Sequence, residues 1–212
     1  KLAREKVKVV LSGEGADEFF GGYLDYYEKD AIRKYKKIPY GIRHIIALGA
    51  KKFPKMKGRN FLVRNGMPLY DHYIGQAFIF NDEEANDLVN DDYKTNIKYA
   101  DITKPYFDKV KDKSDTIKMQ YVDMNLWLPN DILLKADKMT MANSLELRVP
   151  YLDKEVFKES LKLTEKEKLN NNTTKYALRK ASESILPKEW SSRKKIGFLV
   201  PFAKWIKDEK MY

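Results

Sequence analysis

The sequence predicts a mainly helical fold with one or two short parallel strands that belong to a larger sheet. Three observations support this. KVKVVL, Lys6 to Leu11, is the one stretch with convincing strand character, β-branched and alternating at first, then continuously apolar as a strand entering a buried sheet would be. The rest of the chain is dominated by apolar residues at three- and four-residue steps and by short helical pieces between turn signals. A parallel strand cannot pair its backbone groups alone, so one such strand ahead of a long run of helices reads as a piece of something larger.

Ser12 and Gly13 end the first strand. From Ala16, ADEFFGGYLDYYEKDAIRKYKK reads as one helix, with Phe19, Phe20, Tyr23, Leu24 and Tyr27 on its apolar side. Gly21 and Gly22 interrupt that pattern at a cost, and close packing is the expected reason for the pair. Pro39 to about Pro105 holds short helical pieces separated by KFPKMKGRN, RNGMPLYD and FNDEE, with Asn81 or Asp82 as a helix cap. Ser114 to Trp127 places Ile117, Tyr121, Met124 and Leu128 on one stripe expected to be buried, and Pro129 with Asn130 is expected to stop it. Asp131 to Asn143 is a further helix whose apolar side is expected in the core, with Asp131 four residues ahead of Lys135 in the favourable order. SLELRVPYLD is extended before Pro150, alternating Leu145, Leu147 and Val149 with polar residues. A last helix begins near Thr173 or Thr174, runs through Ala177, Leu178, Ala181 and Ile185, and ends before Pro187. Trp127, Trp190 and Trp205 are expected as core anchors, and Arg148 as a tie between its extended segment and a neighbouring acid.

Composition narrows the function classes. The 212 residues, 43% hydrophobic and 13% aromatic, are enough for a sizeable core. The absence of cysteine excludes disulfides, thiolate metal sites and a cysteine nucleophile within these residues, and the two isolated histidines, His44 and His72, form no metal-ligand pattern. No window approaches the roughly 18 apolar residues of a membrane span, and KLAREKVKVV lacks a signal peptide's apolar core, so a cytoplasmic protein without a membrane partner is expected. The formal charge of +10 raises the question of a nucleic-acid partner. KYKKIP, GAKKFPKMKG and LKLTEKEKLN read as a solvated, lysine-rich surface interleaved with acids, and no nucleic-acid partner is expected.

The chemistry concentrates in VVLSGEGADEFFGGY, where a strand, a glycine turn and a helix start succeed one another, the general geometry for holding phosphate. Gly13 and Gly15 begin a dinucleotide pattern whose third glycine would fall at Glu18, and no Walker sequence occurs, so neither of those readings applies. Glu14, Asp17 and Glu18 repel phosphate unless a cation intervenes. Hard oxygen ligands suit Mg²⁺, its shell completed by nucleotide phosphates. The alternative is that all three are helix-dipole acids, and it stays open on chemistry alone.

LSGEGADEFFGGY, taken with LPNDILLKADKMTMANSLELRVPYLD and RKKIGFLVP in that order, closely resembles the C-terminal synthetase domain of glutamine-hydrolysing asparagine synthetases of the bacterial class B type. The resemblance covers Val7 to Trp205, with the middle third least distinctive. It implies that residues 1–212 are the C-terminal portion of that domain: the helical part of an α/β ATP-pyrophosphatase fold, adenine nucleotide α-hydrolase-like, with residual parallel strands. Two family features, a glutaminase domain with an N-terminal cysteine and an SGGxDSS pyrophosphate loop, are not in these residues, so the chain alone is expected neither to make asparagine nor to bind ATP strongly.

The resemblance also implies roles. Ser12 and Gly13 match the turn against which ATP lies, and glycine permits that approach by having no side chain. Asp17 matches an aspartate that helps hold Mg²⁺ on the pyrophosphate. Glu14 matches the glutamate that takes a proton from ammonia as it attacks the aspartyl adenylate, a task suited to a carboxylate because the amine becomes acidic only as the bond forms. Lys195, in Arg193-Lys194-Lys195, matches the lysine that neutralises phosphate charge during adenylation, with a solvated charge run as its alternative. Glu18 would orient substrate. Asp131, Lys135 and Asp137 would face the aspartate site, or else Asp131 and Lys135 form an ordinary surface ion pair.

The parent reaction would use ATP and Mg²⁺ to activate aspartate as β-aspartyl-AMP, which glutamine-derived ammonia from the glutaminase domain converts to asparagine; a homodimer is left open. One alternative is a related amidotransferase acting on another carboxylate or sugar in surface-polymer biosynthesis. Glu14 argues against the β-lactam-forming branch, which carries tyrosine there. An alternative of another class is a basic nucleic-acid-binding or docking module, resting on charge alone.

Overall fold

The computed structural model describes residues 1–54, 56–76, 78–170, 173–193 and 201–207. The chain divides into two compact units, Lys1–Ala177 and Leu178–Tyr212.

The first unit is helical around one small parallel sheet. Strand β1, Val9–Leu11, pairs with β2, Glu146–Arg148, in the register Val9 to Glu146, Val10 to Leu147 and Leu11 to Arg148. The ladder extends by a backbone bond on either side, Glu146 N–H to the Lys8 carbonyl and Ser12 N–H to the Arg148 carbonyl, each 2.9 Å. The expected strand therefore finds its parallel partner within the chain, 137 residues away in register, in a segment expected only to be extended, and it is largely exposed rather than buried. Val9 and Leu11 face solvent and Val10 is half-buried.

The helices are α1 Ala16–Phe20, α2 Asp30–Tyr35, α3 Tyr40–Lys51, α4 Arg59–Gly66, α5 Asp82–Leu88, α6 Tyr99–Lys109, α7 Asp115–Asn125, α8 Leu134–Met141, α9 Lys154–Lys162, α10 Glu165–Lys168, α11 Tyr176–Ser182, α12 Lys188–Ser191 and α13 Phe202–Trp205. Several of their starts carry side-chain caps. Asn81 and Glu84 form a reciprocal capping box on α5, and the side chains of Ser114 and Asp153 accept backbone N–H groups at the starts of α7 and α9. The core of this unit gathers Tyr26, Tyr73, Phe107, Met119 and Val122, with Tyr23, Leu69, Tyr70, Tyr106, Leu126 and Leu169 packed around them.

Several expectations are corrected. The single helix expected from Ala16 onward is three pieces: α1 closes after five residues, a 3₁₀ turn comes next at Leu24–Tyr26, and α2 begins at Asp30. Gly21 is the cause, because it takes the left-handed conformation at φ +74° that caps a helix. Close packing of the pair is confirmed: a Cβ on Gly21 would touch Lys168 and Leu169 at 3.3 Å, and one on Gly22 would coincide with the Asp17 carboxylate. Pro129 does not end the helical path. A π-helical turn, Leu128–Leu133, accepts it near its first position, where a missing N–H costs little, and leads into α8.

The buried side of α7 is Thr116, Met119, Gln120, Val122 and Asp123 rather than the stripe through Ile117, Tyr121 and Met124, although Leu128 is buried as expected. The rotation is explained by Gln120 and Asp123, which find hydrogen-bond partners inside. The apolar side of α8 is not core: Leu134, Met139 and Met141 are exposed, because α8 packs chiefly through β2 and the π turn. Trp190 and Trp205 are exposed too, Trp190 stacking on the Arg193 guanidinium at 5.6 Å, and only Trp127 is half-buried.

In the second unit the last helix stops at Ser182, ahead of an exposed Ile185, and α12 starts after Pro187. Arg179 joins the two helices by donating to the carbonyls of Ser191 and Arg193 at 3.1 and 2.7 Å.

Candidate active site

The glycine turn stands where both strands end. β1 delivers Ser12, half-buried, and Gly13, exposed, and Gly15 at φ +88° turns the chain into α1. The segment after β2 is laid directly on this turn. A Cβ on Gly15 would lie 2.4 Å from Leu152 Cδ2, so both backbone conformation and packing require glycine there. At Gly13 a Cβ would meet only Tyr151 at 3.9 Å, an ordinary contact. Packing among the described residues therefore does not demand glycine at position 13, which leaves a bare backbone open to an approaching ligand. Below the turn, Phe19 packs on Phe157 of α9 at 4.9 Å and Phe20 on Tyr151 at 6.2 Å, fixing α1 between the two segments.

The three acids of the turn have different surroundings. Glu14 is half-buried, and its Oε2 is buried without any hydrogen-bond partner among the described residues. Asp17 is in ion-pair contact with Lys175, Oδ1 to Nζ 3.2 Å, while its backbone carbonyl accepts the Gly22 N–H at 2.7 Å. Lys175 is held in place by an N–H bond to the Gly21 carbonyl and sits in the left-handed region at φ 54°, a conformation that costs a lysine energy. Glu18 is 2% exposed. Its Oε1 accepts from the Tyr23 hydroxyl at 2.8 Å, that hydroxyl accepts from Trp127 Nε1 at 3.0 Å, and the Glu18 carbonyl accepts from Gln120 at 2.7 Å. Burial raises the Glu18 carboxyl above its ordinary value, against the lowering effect of the Tyr23 bond, and pushes the Tyr23 hydroxyl up as well.

Asp131 and Lys135 pair with each other at 3.3 Å on the π turn and α8, and Lys135 is exposed. Among the described residues neither these two nor Asp137 forms an ion pair or a hydrogen bond through its side chain to the glycine turn. Lys195 lies outside the described residues. Arg148 pairs with Glu146 on its own strand at 2.8 Å. The structure thus brings together Ser12, Gly13, Glu14, Asp17 and Glu18, adds Lys175, and leaves Asp131 and Lys135 paired with each other.

Two features escape sequence reading. Lys175 is one; its signal is only a lone lysine ahead of a helix start. The other is a buried polar hub in which Asp123, fully enclosed, accepts from the hydroxyls of Tyr26 and Tyr73, both at 2.5 Å, and from the Gln76 N–H at 3.3 Å. Burial raises the Asp123 carboxyl in spite of these donors. The hub fastens the chain after α1 to α7. A cavity of about 1360 Å³ opens nearby, lined by Asp25, Glu28, Lys36, Arg64, His72 and Asp115 among others, and none of the turn's residues reaches it.

Mg²⁺ is commonly held by one or two carboxylates, with phosphates and waters completing its shell. Among the described residues no group of three or more His, Asp or Glu is placed to hold a metal. Asp17 fits as a single carboxylate contribution, and the partnerless Glu14 oxygen fits a proton donor or cation supplied by a ligand.

All 212 residues match the family described as "Asparagine synthase". The chain belongs to the asparagine synthase family. It is 49% identical over 99% of its length to asparagine synthetase [glutamine-hydrolyzing] 1 of Bacillus subtilis, covering 33% of that protein, and 41% identical over 97% of its length to a Mycobacterium bovis protein carried provisionally under the same name, covering 31%. Asparagine synthetase [glutamine-hydrolyzing] 3 of Bacillus subtilis is 25% identical over 88% of the chain, covering 25% of that protein. The chain spans about a third of the length of the first of these relatives. No solved structure matches it.

Proposed function

We propose that these residues form the part of an asparagine synthetase active site in which an activated carboxylate meets ammonia. The substrate carboxylate is aspartate, activated by ATP as β-aspartyl-AMP, and the ammonia derives from glutamine. The observation that carries this reading is the Glu14 carboxylate, which ends in a buried, partnerless oxygen on a turn whose neighbouring residue, Gly13, is bare. A buried acceptor without a donor is costly, and a ligand N–H or O–H relieves that cost.

ATP lies along Ser12 and Gly13; the charge-offsetting role that the family resemblance gives Lys195 falls on a residue outside those described. Asp17, oriented by Lys175, contributes one carboxylate to Mg²⁺, which when bound supplies counter-charge to the departing pyrophosphate. Ammonia then attacks the acyl carbon, the bond from that carbon to the AMP oxygen breaks, and Glu14 takes the proton that the nitrogen sheds. Glu18 acts from beneath, holding α1 through Tyr23 and Trp127. The glutaminase that would supply ammonia, and the rest of the phosphate cradle, belong to the longer relatives' remaining two thirds.

The test is product analysis with a protein of the relatives' full length. Asparagine formed with one AMP and one pyrophosphate per turnover, dependent on aspartate, supports the reading. Cleavage of ATP to ADP, or turnover indifferent to aspartate, overturns it.

A further inference from the structure

The net charge is not spread over the molecule. Between Ala31 and Tyr70 the sequence holds eleven Lys and Arg and no Asp or Glu, which leaves 30 basic and 31 acidic residues in the rest of the chain. The expectation of lysines interleaved with acids fails here: KYKKIP and GAKKFPKMKG both fall in the acid-free stretch. In the fold that stretch is α2 after its first residue and the α3–α4 hairpin.

Some of its cations have structural work. Arg33 pairs with Glu28 and Asp30, and Lys36 with Glu28 and Asp115. Arg43 and Arg59 tie the hairpin together by donating to the backbone carbonyls of Ile38 and Asn65, and of Ala50 and Lys51. Lys34, Lys37, Lys51, Lys52, Lys57 and Arg64 are exposed, and among the described residues no salt bridge engages them. The α3 face opposite them in kind is apolar. Ala47 is buried against Gly66 of α4, whereas Ile42, Ile45, Ile46 and Gly49 repeat at three- and four-residue steps on the other side, in solvent. Ile45 is 71% exposed, and in the turn after α3 Phe53 is 62% exposed beside lysines.

We propose that the α3–α4 hairpin docks on an anionic lipid surface, with the Ile42, Ile45 and Phe53 side chains entering the interface and the surrounding lysines facing the headgroups. An amphipathic helix with an apolar stripe and cationic flanks is the form that lies in a bilayer interface. A nucleic acid would account for the charge and leave the isoleucine ridge in water. A second copy of this chain would cover the ridge and set one acid-free surface against another, which repels. Anionic lipid satisfies both features. The absence among the described residues of a helix able to cross a membrane is no obstacle, because an interfacial helix does not span. The proposal departs from the expectation of no membrane partner.

The experiment is co-sedimentation of a protein of the relatives' full length, whose remaining two thirds are free to cover the ridge, with vesicles of phosphatidylcholine, with and without about a third phosphatidylglycerol. Binding is expected only to the anionic vesicles, weakening as salt rises. Lys51→Glu with Lys52→Glu should lower the partition coefficient about a hundredfold. Ile42→Ser with Ile45→Ser should lower it about tenfold while leaving the salt dependence unchanged. Lys158→Glu with Lys162→Glu, on exposed α9, should change nothing. The proposal is overturned if anionic vesicles are not bound, if binding ignores the isoleucine pair, or if duplex DNA is bound instead with the same response to the lysine pair.

Discussion

The glycine turn and the exposed positions of α3 use glycine in opposite ways, whereas Gly66, where α4 meets α3, is as tightly packed as the turn. In the turn, Gly15 has a positive φ and a neighbour that would collide with any side chain, and Gly22 gives up its Cβ position to the Asp17 carboxylate. On the exposed side of α3, Gly41 and Gly49 have nothing within 4 Å of where a Cβ would lie. The turn is a place where backbone and side chains are specified together, as a site that positions carboxylates must be. The outer face of the hairpin is specified by surface character alone, and its residues are free to serve a partner.

The same chemical change should therefore give effects of opposite sign. Gly15→Ala should lower unfolding stability by about 3 kcal/mol, combining left-handed strain with the clash at Leu152. Gly22→Ala should cost about 2 kcal/mol and release Asp17 from Lys175. Gly41→Ala and Gly49→Ala should each raise stability by about 0.5 kcal/mol, because alanine loses less chain entropy in a helix. Urea unfolding of the four variants checks this. Equal losses in both regions would break the comparison.

The polar interior beneath the turn should show itself next. Tyr73→Phe removes one of the donors to enclosed Asp123 and should cost about 1 to 2 kcal/mol. Removing the Asp131 to Lys135 surface pair by Asp131→Asn should cost less than about 0.5 kcal/mol. A comparable loss in the second variant would mean that the pair is more than a surface contact.

A smaller, pH-dependent effect separates histidine from carboxylate burial. Burial lowers His72 from 6.5 to about 4, so the unfolded chain binds that proton more readily than the folded one. Stability from this source is present above pH 6.5 and is lost as pH falls toward 4. Glu18 and Asp123, raised by burial, act in the reverse sense: their contribution is complete below their unfolded values near 4.5 and 3.8 and is lost as pH climbs through the raised folded ones. His72→Gln should flatten the loss between pH 6.5 and 4 relative to the parent, and a parallel pair of urea-midpoint curves would contradict the burial of His72.

Sequence reading finds what repeats along the chain and misses what depends on contacts across it. The apolar run Val9 to Leu11 reveals one strand, the alternation of Leu145 to Val149 an extended segment that proves to be its partner, and the three motifs reveal the family. Periodicity alone cannot show that Gly21 caps α1, because the Lys168 and Leu169 side chains packed there come from far along the chain. It places the apolar stripe of α7 at Ile117 and Tyr121, yet Gln120 and Asp123 point inward because Glu18, Tyr26 and Tyr73 offer them partners. Pro129 reads as a stop because a proline normally breaks a helix, and a π turn absorbs it. Of the candidate site, the run Ser12 to Glu18 is legible as a strand end, a glycine turn and a helix start. Lys175 is not, since a basic residue reveals an acidic partner only when the fold places them together.

The central claim is that the carboxylates of one turn divide the labour, with Glu14 moving a proton and Asp17 holding charge. The direct measurement uses a protein of the relatives' full length and tracks two quantities in Glu14→Gln and Asp17→Asn: aspartate-dependent exchange of pyrophosphate into ATP, and asparagine formation. Glu14→Gln should keep the exchange and slow amide formation by roughly 10² to 10⁴. Asp17→Asn should lose the exchange itself. Equal loss of exchange in both variants, or normal asparagine formation in Glu14→Gln, would contradict the division.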